Sequence, residues 1–363
     1  MKKLVLGLIL ASSVAVAGMT TLNVLDTFVF TTQIGKMEAI DSGELGWDID
    51  FGSEESSSSE ESSSPSSQTS LPSSSSSSQT SLPSVSSTEE SPSASEESES
   101  EETSSSESSS QASGKTTASV QKLKKSISGT DVTYYLADIQ LKRLSDLRTY
   151  LACDSQGYYG TTIKQTFPEM IKGAQDASPD SEILVAISGD FPFWKGREGY
   201  VVRNGQVCRD TVRNTEGEDF AIYKDGTVLS YLESEVPFEE MNSIHGGCYQ
   251  NWSFGPALIR GGEISVTTNQ EIDGETMSSN QRVAMGYAGT GHFYFMATKV
   301  SGYRGSPWAK GFSLYNLAET LLELGCTEAY NLDGGNSASL WFEGEMLVDY
   351  DRDLGDMVYV VAR

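Results

Sequence analysis

Two carboxylates that directly follow predicted strands are the side chains best placed to do chemistry. Asp333 follows an apolar-rich segment and precedes Gly334 and Gly335, while Asp190 follows the apolar run 181–188. Because strand ends of one sheet can meet at a common edge, two such carboxylates can share general acid–base work. The glycines allow positive φ and let a ligand approach the backbone closely. The alternative for either aspartate is a tight turn, in which the carboxylate bonds only its own backbone.

One helix and several short strands are predicted around these residues. Ser313 caps the helix, Gly325 ends it, and leucines on one face give it an apolar stripe. Strand-like segments are predicted at 132–141, 181–188, 199–203, 219–229, 282–287 and 292–298. Asn204-Gly205 and Asp225-Gly226 are predicted turns. This order predicts an α+β fold with a mixed, largely antiparallel sheet and few helices.

Composition excludes some classes of function. The 363 residues carry a formal charge of −26, from 51 acidic and 25 basic residues, so no nucleic-acid partner is expected. None of the four cysteines forms a C-x-x-C pair, which argues against a zinc site. The two histidines argue against a histidine-based metal centre. The cysteines can form two disulfides or remain buried thiols, and the sequence assigns neither a metal nor a cofactor.

Two segments precede the predicted domain. Residues 1–30 start with Lys2 and Lys3 and continue as a largely apolar run, which is typical of a signal peptide or an uncleaved signal anchor. Either interpretation predicts export, with membrane attachment through this segment if it stays uncleaved. Residues 31–119, Ser/Glu-rich from position 51, cannot bury enough apolar surface and predict a disordered spacer. The folded domain is predicted at 120–363.

Five sequence blocks, taken together and in order, resemble those of the phosphodiester glycosidase family. The blocks are 189–191, 200–205, 254–258, 282–286 and 329–335. The family includes the enzyme that uncovers mannose 6-phosphate on lysosomal proteins, and bacterial surface relatives associated with exopolysaccharide. The resemblance covers roughly 132–363, and it implies release of a sugar from a phosphodiester-linked glycoside.

The resemblance also implies roles for particular residues. Asp190 and Asp333 become the candidate catalytic pair, with Asp356 in reserve. Arg203 and Arg282 are the candidates for the phosphate, because a guanidinium pairs with phosphate in a bidentate way; the alternative is a surface ion pair. The remaining substrate-binding candidates are Asn204, Asn331, Gly334, Gly335, Asn336 and Ser337.

Three departures from the family pattern fall near the predicted site. Ser188 stands where the family usually has Asn, Asn336 replaces a third glycine, and Pro192 stands where an aromatic is commoner. Because Asn tolerates left-handed backbone, the turn at 336 is expected to survive. The first hypothesis is an exported extracellular or cell-surface hydrolase, acting on a sugar phosphodiester or surface glycan. The second is a noncatalytic glycan-binding or exopolysaccharide-assembly protein on the same fold.

Overall fold

The computed structural model describes ten stretches of the chain. These are 48–51, 114–154, 163–190, 198–213, 217–268, 271–272, 275–276, 280–301, 310–348 and 352–363. The predicted export segment 1–30, most of the predicted spacer 31–119, and Pro192 lie outside them. Within the described stretches, every helix is too short or too polar to cross a bilayer.

Strands and a few short helices make up the domain. The strands are β1 Thr117–Ile127, β2 Thr130–Gln140, β3 Leu147–Leu151, β4 Glu182–Ser188, β5 Val201–Arg203, β6 Gln206–Arg209, β7 Glu218–Tyr223, β8 Val228–Leu232, β9 Cys248–Trp252, β10 Ala257–Arg260, β11 Glu263–Ile264, β12 Glu271–Ile272, β13 Glu275–Thr276, β14 Val283–Gly289, β15 His292–Thr298, β16 Glu328–Leu332, β17 Leu340–Phe342, β18 Glu345–Val348 and β19 Asp356–Ala362. The α-helices are α1 Phe167–Ala177, α2 Phe238–Met241 and α3 Leu314–Glu323. Single 3₁₀ turns occur at Leu144–Asp146, Ala152–Asp154, Ile244–Gly246 and Gly335–Ser337.

Three larger sheets and one two-stranded ribbon contain these strands. Their orders are β1-β2-β15-β14-β16-β10-β11, β18-β17-β4-β19-β3, β6-β5-β9-β7-β8 and β12-β13. Every strand pair described within them is antiparallel. The predicted α+β class, with largely antiparallel sheet and few helices, is therefore confirmed.

Local sequence signals account for several elements. Ser313 accepts a hydrogen bond from the Asn316 amide at 3.1 Å and caps α3, and the left-handed Gly325 follows the helix end. Asn204 and Gly205, both at positive φ, turn β5 into β6. Gly226, also at positive φ, lies in the turn between β7 and β8. The sequence did not predict β1, whose alternating polar pattern lacks a continuous apolar run.

The core lies between the sheets. Its largest cluster of buried side chains takes members from all three larger sheets, such as Phe295, Trp252 and Val358. A second cluster packs α3 against the seven-stranded sheet through Leu317 and Leu321. All four cysteines are free thiols, and two of them, at 248 and 326, are buried.

Candidate active site

Two sheets bring their strand ends together at the candidate site. Ser188 ends β4 of one five-stranded sheet, and Asp333 directly follows β16 of the seven-stranded sheet. The Asp333 amide donates to the Gly189 carbonyl at 2.9 Å. In return, the Ser188 hydroxyl donates to the Asp333 carbonyl at 2.8 Å. These bonds join the two sheets where both carboxylate-bearing loops begin.

Arg203 lies between two of the aspartates. Its Nη2 is 2.8 Å from Asp190 Oδ2 and 2.9 Å from Asp356 Oδ2, and its Nε donates to Asp356 Oδ2 at 3.0 Å. The guanidinium also lies over the Trp252 ring, 5.3 Å from its centroid, and donates through Nη1 to the Asn251 carbonyl. Arg203 is fully buried, at 0% exposure. The predicted phosphate ligand Arg203 is thus enclosed by protein groups.

Asp190 receives further donors from the chain after β9. The Ser253 amide donates to its Oδ2 at 3.1 Å, and the Phe254 amide donates to its Oδ1 at 3.3 Å. Two backbone donors and one guanidinium therefore fix the Asp190 carboxylate.

Asp356, at the start of β19, is the most enclosed of the three carboxylates. Burial raises its pKa to about 7, Arg203 opposes that rise, and the charge of Asp190 adds to it. Its Oδ1 has no hydrogen-bond partner among the described residues. A side chain at Gly189 would collide with this carboxylate, so the position requires glycine. Asp190 and Asp356 thus share one arginine in a closed cluster.

Asp333 has a different partner, Arg352. Arg352 Nη2 lies 3.1 Å from Asp333 Oδ1 and 3.0 Å from Asp333 Oδ2. Arg352 Nε donates to the Ser337 hydroxyl at 2.7 Å. Burial raises the pKa of Asp333 to about 6, against the lowering effects of Arg352 and Ser337, and the charge of Asp190 adds to the rise. The Arg352 side chain is 34% exposed, whereas that of Asp333 is 6% exposed. This pair therefore connects the buried cluster with solvent.

The glycine turn after Asp333 passes close to another backbone. A Cβ at Gly334 would lie 2.7 Å from the Gln281 carbonyl oxygen, and the Gly335 amide donates to that same oxygen at 2.8 Å. The left-handed residue of the turn is Gly335, at φ 55°. Asn336 is exposed and not left-handed, so the turn does not depend on the tolerance of Asn for that conformation.

The two other candidate asparagines bind protein groups. Asn204 Oδ1 accepts hydrogen bonds from the Thr149 amide at 2.9 Å and from Gln250 Nε2 at 2.7 Å. Its Nδ2 donates back to the Thr149 carbonyl at 2.7 Å. Asn331 donates to the Gly255 carbonyl at 2.8 Å, and its Oδ1 has no partner among the described residues. Asn204 therefore connects the β5–β6 turn to β3.

Arg282 and His245 have partners of their own. Arg282 is buried, its Nε donates to the Phe312 carbonyl at 3.2 Å, and burial lowers its pKa to about 10. Its backbone passes beside Gly334, but the described contact of its side chain points to the loop before α3. His245 lies 2.9 Å from Asp225 in an exposed pair. The three residues that the structure joins directly are Asp190, Arg203 and Asp356, with Asp333 beside them.

Two participants were absent from the sequence-based candidates. Arg352 follows Asp349-Tyr350-Asp351 in the sequence, which carries no strand or motif signal, and only the fold brings Arg352 to Asp333. Asn251 lies within β9, where it donates to Asp219 Oδ2 at 2.7 Å while its carbonyl accepts from Arg203. Asp219 in turn pairs with Arg213 at 3.0 Å. A second buried ionic network therefore lies directly behind the first.

A metal site is not formed by the described side chains. No group of three or more His, Cys, Asp or Glu residues in the described stretches is placed to hold an ion. The arrangement offers instead three clustered carboxylates, one enclosed guanidinium and one guanidinium open to solvent.

Comparison with known proteins agrees with this fold. Residues 181–361 match the model of the phosphodiester glycosidase family. Residues 181–361 therefore form a domain of the phosphodiester glycosidase family. The matched range contains both strand-end aspartates, both glycines after Asp333, and Arg352.

Individual relatives are more distant. The chain is 26% identical over 228 residues to mouse N-acetylglucosamine-1-phosphodiester alpha-N-acetylglucosaminidase, covering 59% of this chain and 41% of that one. It is 24% identical over 201 residues to the SPbeta prophage-derived uncharacterized protein YomE of Bacillus subtilis (strain 168), covering 53% and 28%. It thus spans less than half the length of either relative. The zebrafish N-acetylglucosamine-1-phosphodiester alpha-N-acetylglucosaminidase catalytic domain, auto-inhibited by its pro-peptide, matches in fold, with a TM-score of 0.51, 18% identity, and coverage of 68% and 83%.

Proposed function

We propose that the chain is an exported hydrolase that releases a sugar from a phosphodiester-linked glycoside. The observation that carries this proposal is the Asp333–Arg352 pair, a buried carboxylate held by a solvent-exposed guanidinium beside a second carboxylate cluster. Membership of the phosphodiester glycosidase family supports the same reaction class. The two requirements of that reaction are a group that handles a proton and a cation that faces the phosphate.

Asp333 meets the first requirement. A pKa of about 6 leaves Asp333 mostly ionised near neutral pH and makes it a stronger base than an ordinary carboxylate, which suits a group that takes a proton from water. In the proposed reaction, the bond between the anomeric carbon and the phosphate oxygen breaks, and water adds to the carbon. The water proton goes to Asp333, and the phosphate leaves as a monoester. Because that monoester is a stable anion, its departure needs little protonation.

Asp190 supplies negative charge near the reacting carbon, and Asp356 shares Arg203 with it. Glycoside cleavage passes through a state with positive charge on the sugar ring, which nearby carboxylates stabilise. Arg203 fixes both carboxylates but is enclosed, so part of their charge is balanced from the side away from solvent. Fixed, preorganised charge of this kind contributes to catalysis because it needs no reorganisation during the reaction.

Arg352 meets the second requirement, in place of the buried Arg203. Its part-exposed guanidinium can turn from Asp333 toward an incoming phosphodiester, since phosphate is a preferred bidentate partner of arginine. Arg352 lowers the pKa of Asp333, so its departure to the phosphate raises that pKa and makes Asp333 a stronger base. Substrate binding would thereby prepare the carboxylate for its proton-transfer step.

The substrate class is proposed from the activity for which two relatives are named. The mouse and bovine relatives are named for an N-acetylglucosamine 1-phosphodiester, and both matches cover 57–59% of this chain. We extend only the shared chemistry, a sugar linked through its anomeric oxygen to a phosphodiester. The apolar segment 1–30 supports export, with a surface glycan as the natural partner.

Hydrolysis of a chromogenic sugar phosphodiester tests this function. The parent protein should release the chromophore, and Asp333→Asn should lower the rate by roughly 10²–10⁴, the usual contribution of an acid–base group. Asp131→Asn is the matched control, because Asp131 is an exposed carboxylate paired only at the surface with Lys124. Equal rates for the parent and Asp333→Asn proteins would contradict the proposal.

Noncatalytic glycan binding is the second candidate function. It is favoured by Ser188 and Asn336, which replace the usual family residues at the site. The Ser188 hydroxyl is committed to the Asp333 carbonyl, and Asn336 is exposed at the rim. Saturable binding of sugar phosphodiesters without chromophore release, across a panel of sugars, would select this candidate over hydrolysis.

A further inference from the structure

A short segment far before the domain lies against it. The Phe51 amide donates to the Lys142 carbonyl at 2.8 Å, and the Leu144 amide donates to the Ile49 carbonyl at 3.1 Å. Asp50 pairs with Lys142 and bridges the backbone of Arg143. Residues 48–51 therefore add a strand-like piece to the turn between β2 and β3.

Asp48 provides a buried ionic anchor for this segment. Its Oδ1 accepts from the Ser145 amide at 2.9 Å, and its Oδ2 lies 3.1 Å from Arg363 Nη2. The Asp48 side chain is 3% exposed, and that of Arg363 is 11% exposed. Removing one partner of a buried ion pair strongly destabilises a protein, so this contact is expected to hold the segment in place.

The Phe51 ring adds an apolar contact. A Cβ at Gly291 would lie 2.9 Å from Phe51 Cδ2, and a Cβ at Gly226 would lie 3.4 Å from Phe51 Cε1. The two glycines belong to the β14–β15 and β7–β8 turns, which lie in different sheets. The Phe51 ring therefore packs against glycine backbone in turns of two different sheets.

The chain returns to the same place at the start of the domain. The Thr116 hydroxyl donates to Asp146 Oδ2 at 2.5 Å and accepts from the Lys142 amide at 2.7 Å. Thr116 is 3% exposed. Lys142 thus binds Phe51 through its carbonyl and Thr116 through its amide. Both ends of the stretch 52–113 meet on the turn 142–146.

We propose that the domain carries a docking site for residues 48–51, so that the chain leaves the turn 142–146 after Phe51 and returns to it at Thr116. This differs from a linear spacer between an export segment and an enzyme. With the segment docked, the reach of the domain from residues 1–30 is set by residues 31–47, at most roughly 60 Å of extended chain. The Ser/Glu-rich residues add no reach.

The docking site is remote from the candidate active site. Asp356 starts β19 at the carboxylate cluster, and Arg363 follows the other end of this seven-residue strand. At the usual rise of a strand, the two lie roughly 24 Å apart. The docked segment therefore leaves the carboxylate cluster uncovered, and this inference does not depend on the proposed function.

Hydrogen exchange of the full chain tests the docking. In the parent protein, the amides of Phe51, Leu144 and Ser145 should exchange slowly, because each donates to a partner across the docking site. Asp48→Ala should speed their exchange at least tenfold, while Asp131→Ala should leave it unchanged. Exchange of the Phe51 amide in the parent at the rate of an unstructured peptide would overturn the proposal.

Replacement of the loop tests closure separately. Substituting residues 54–111 by five Gly and Ser residues leaves nine residues between Phe51 and Gly114, which span at most roughly 32 Å. Since both ends meet at Lys142, the shortened protein should keep the slow exchange of Leu144 and Ser145. Its melting temperature should be equal or higher, because a shorter loop costs less closure entropy. Loss of that protection, or a lower melting temperature, would contradict closure.

Discussion

Two arginine–aspartate groups lie side by side in this domain, and they differ in access to solvent. Arg203 is at 0% exposure and holds Asp190 and Asp356, whereas the Arg352 side chain is 34% exposed and holds Asp333. Both are charge-assisted contacts of about 3 Å. Geometry alone would give them similar roles, but burial separates them.

We infer from this difference that Arg203 stabilises the fold, whereas Arg352 binds the phosphate of the substrate. An arginine enclosed by two carboxylates and a backbone carbonyl has its donors committed to the fold. An arginine that is 34% exposed can exchange a buried carboxylate for a phosphate, because the phosphate accepts the same hydrogen bonds and Asp333, with its raised pKa, can take up a proton. We therefore expect substitutions at Arg203 and Arg352 to affect different measurements.

The largest effect is expected for the stability of the Arg203→Met protein. Removing one partner of a buried ion pair leaves uncompensated charge on Asp190 and Asp356, which typically costs about 3–5 kcal/mol. Urea unfolding should show this loss. Arg352→Met is the matched control and should lose less, because Arg352 is 34% exposed and Asp333, with its raised pKa, can take up a proton when its partner is removed. Equal losses in the two variants would contradict the distinction between the closed group (Arg203 with Asp190 and Asp356) and the open group (Arg352 with Asp333).

The pH dependence of stability should identify the buried carboxylate of the open group. The folded pKa of Asp333, about 6, lies above its usual value of about 3.9, so the folded state binds the proton more tightly. Stability from this group is present below about pH 4 and is lost as the pH rises through 6, by roughly 3 kcal/mol. Asp333→Asn should lack that loss, whereas Asp356 titrates in both proteins.

Urea unfolding of both proteins at intervals from pH 4 to 7 gives the comparison. The stability of Asp333→Asn relative to the parent should increase between pH 4 and 6. Parallel curves over that interval would show that Asp333 titrates normally in the folded protein, and the acid–base role would lose its support.

A smaller effect is expected for catalysis by the Arg352→Met protein. A hydrogen bond to a charged group contributes about 1.5–3 kcal/mol, so hydrolysis of a sugar phosphodiester should slow roughly 10–100-fold. A neutral chromogenic glycoside lacks the phosphate, and its hydrolysis should change less. Kinetics on the two substrates provide the test. A uniform loss on both would assign Arg352 to positioning Asp333 rather than to the phosphate.

The smallest effect is expected at Asn336. The left-handed residue of the turn is Gly335, and Asn336 is exposed, so Asn336→Gly relieves no strain. Its activity should stay within about threefold of the parent, and its stability should fall by less than about 1 kcal/mol, the usual scale for glycine replacement. An increase in rate of a hundredfold would instead favour the glycan-binding interpretation of the parent sequence.

The sequence predicted those parts of the site that follow regular strands. Asp190 and Asp333 come after apolar runs, and such runs end at sheet edges, so their placement could be inferred from local pattern. The motif did not reveal which sheet each strand joins, because antiparallel order depends on long-range pairing. For this reason Arg203 was assigned to the phosphate, although the fold encloses it between Asp190 and Asp356.

Residues outside regular elements were beyond local prediction. Arg352 lies outside the strands and helices, and its contact with Asp333 joins residues 19 positions apart in the sequence. Asp48 lies between Trp47 and Ile49, just before the Ser/Glu-rich stretch, and its burial against Arg363 was not predicted either. Burial of a charged side chain is a property of the assembled fold, and residue type and spacing do not encode it alone.

A crystal structure with a sugar 1-phosphodiester bound to Asp333→Asn tests directly whether Arg352 binds the phosphate. We expect phosphate oxygens within hydrogen-bond distance of the Arg352 guanidinium and the anomeric carbon beside residue 333. Arg203 should still be held between Asp190 and Asp356. A phosphate bound elsewhere, with Arg352 still paired to residue 333, would contradict the assignment of recognition to the open group.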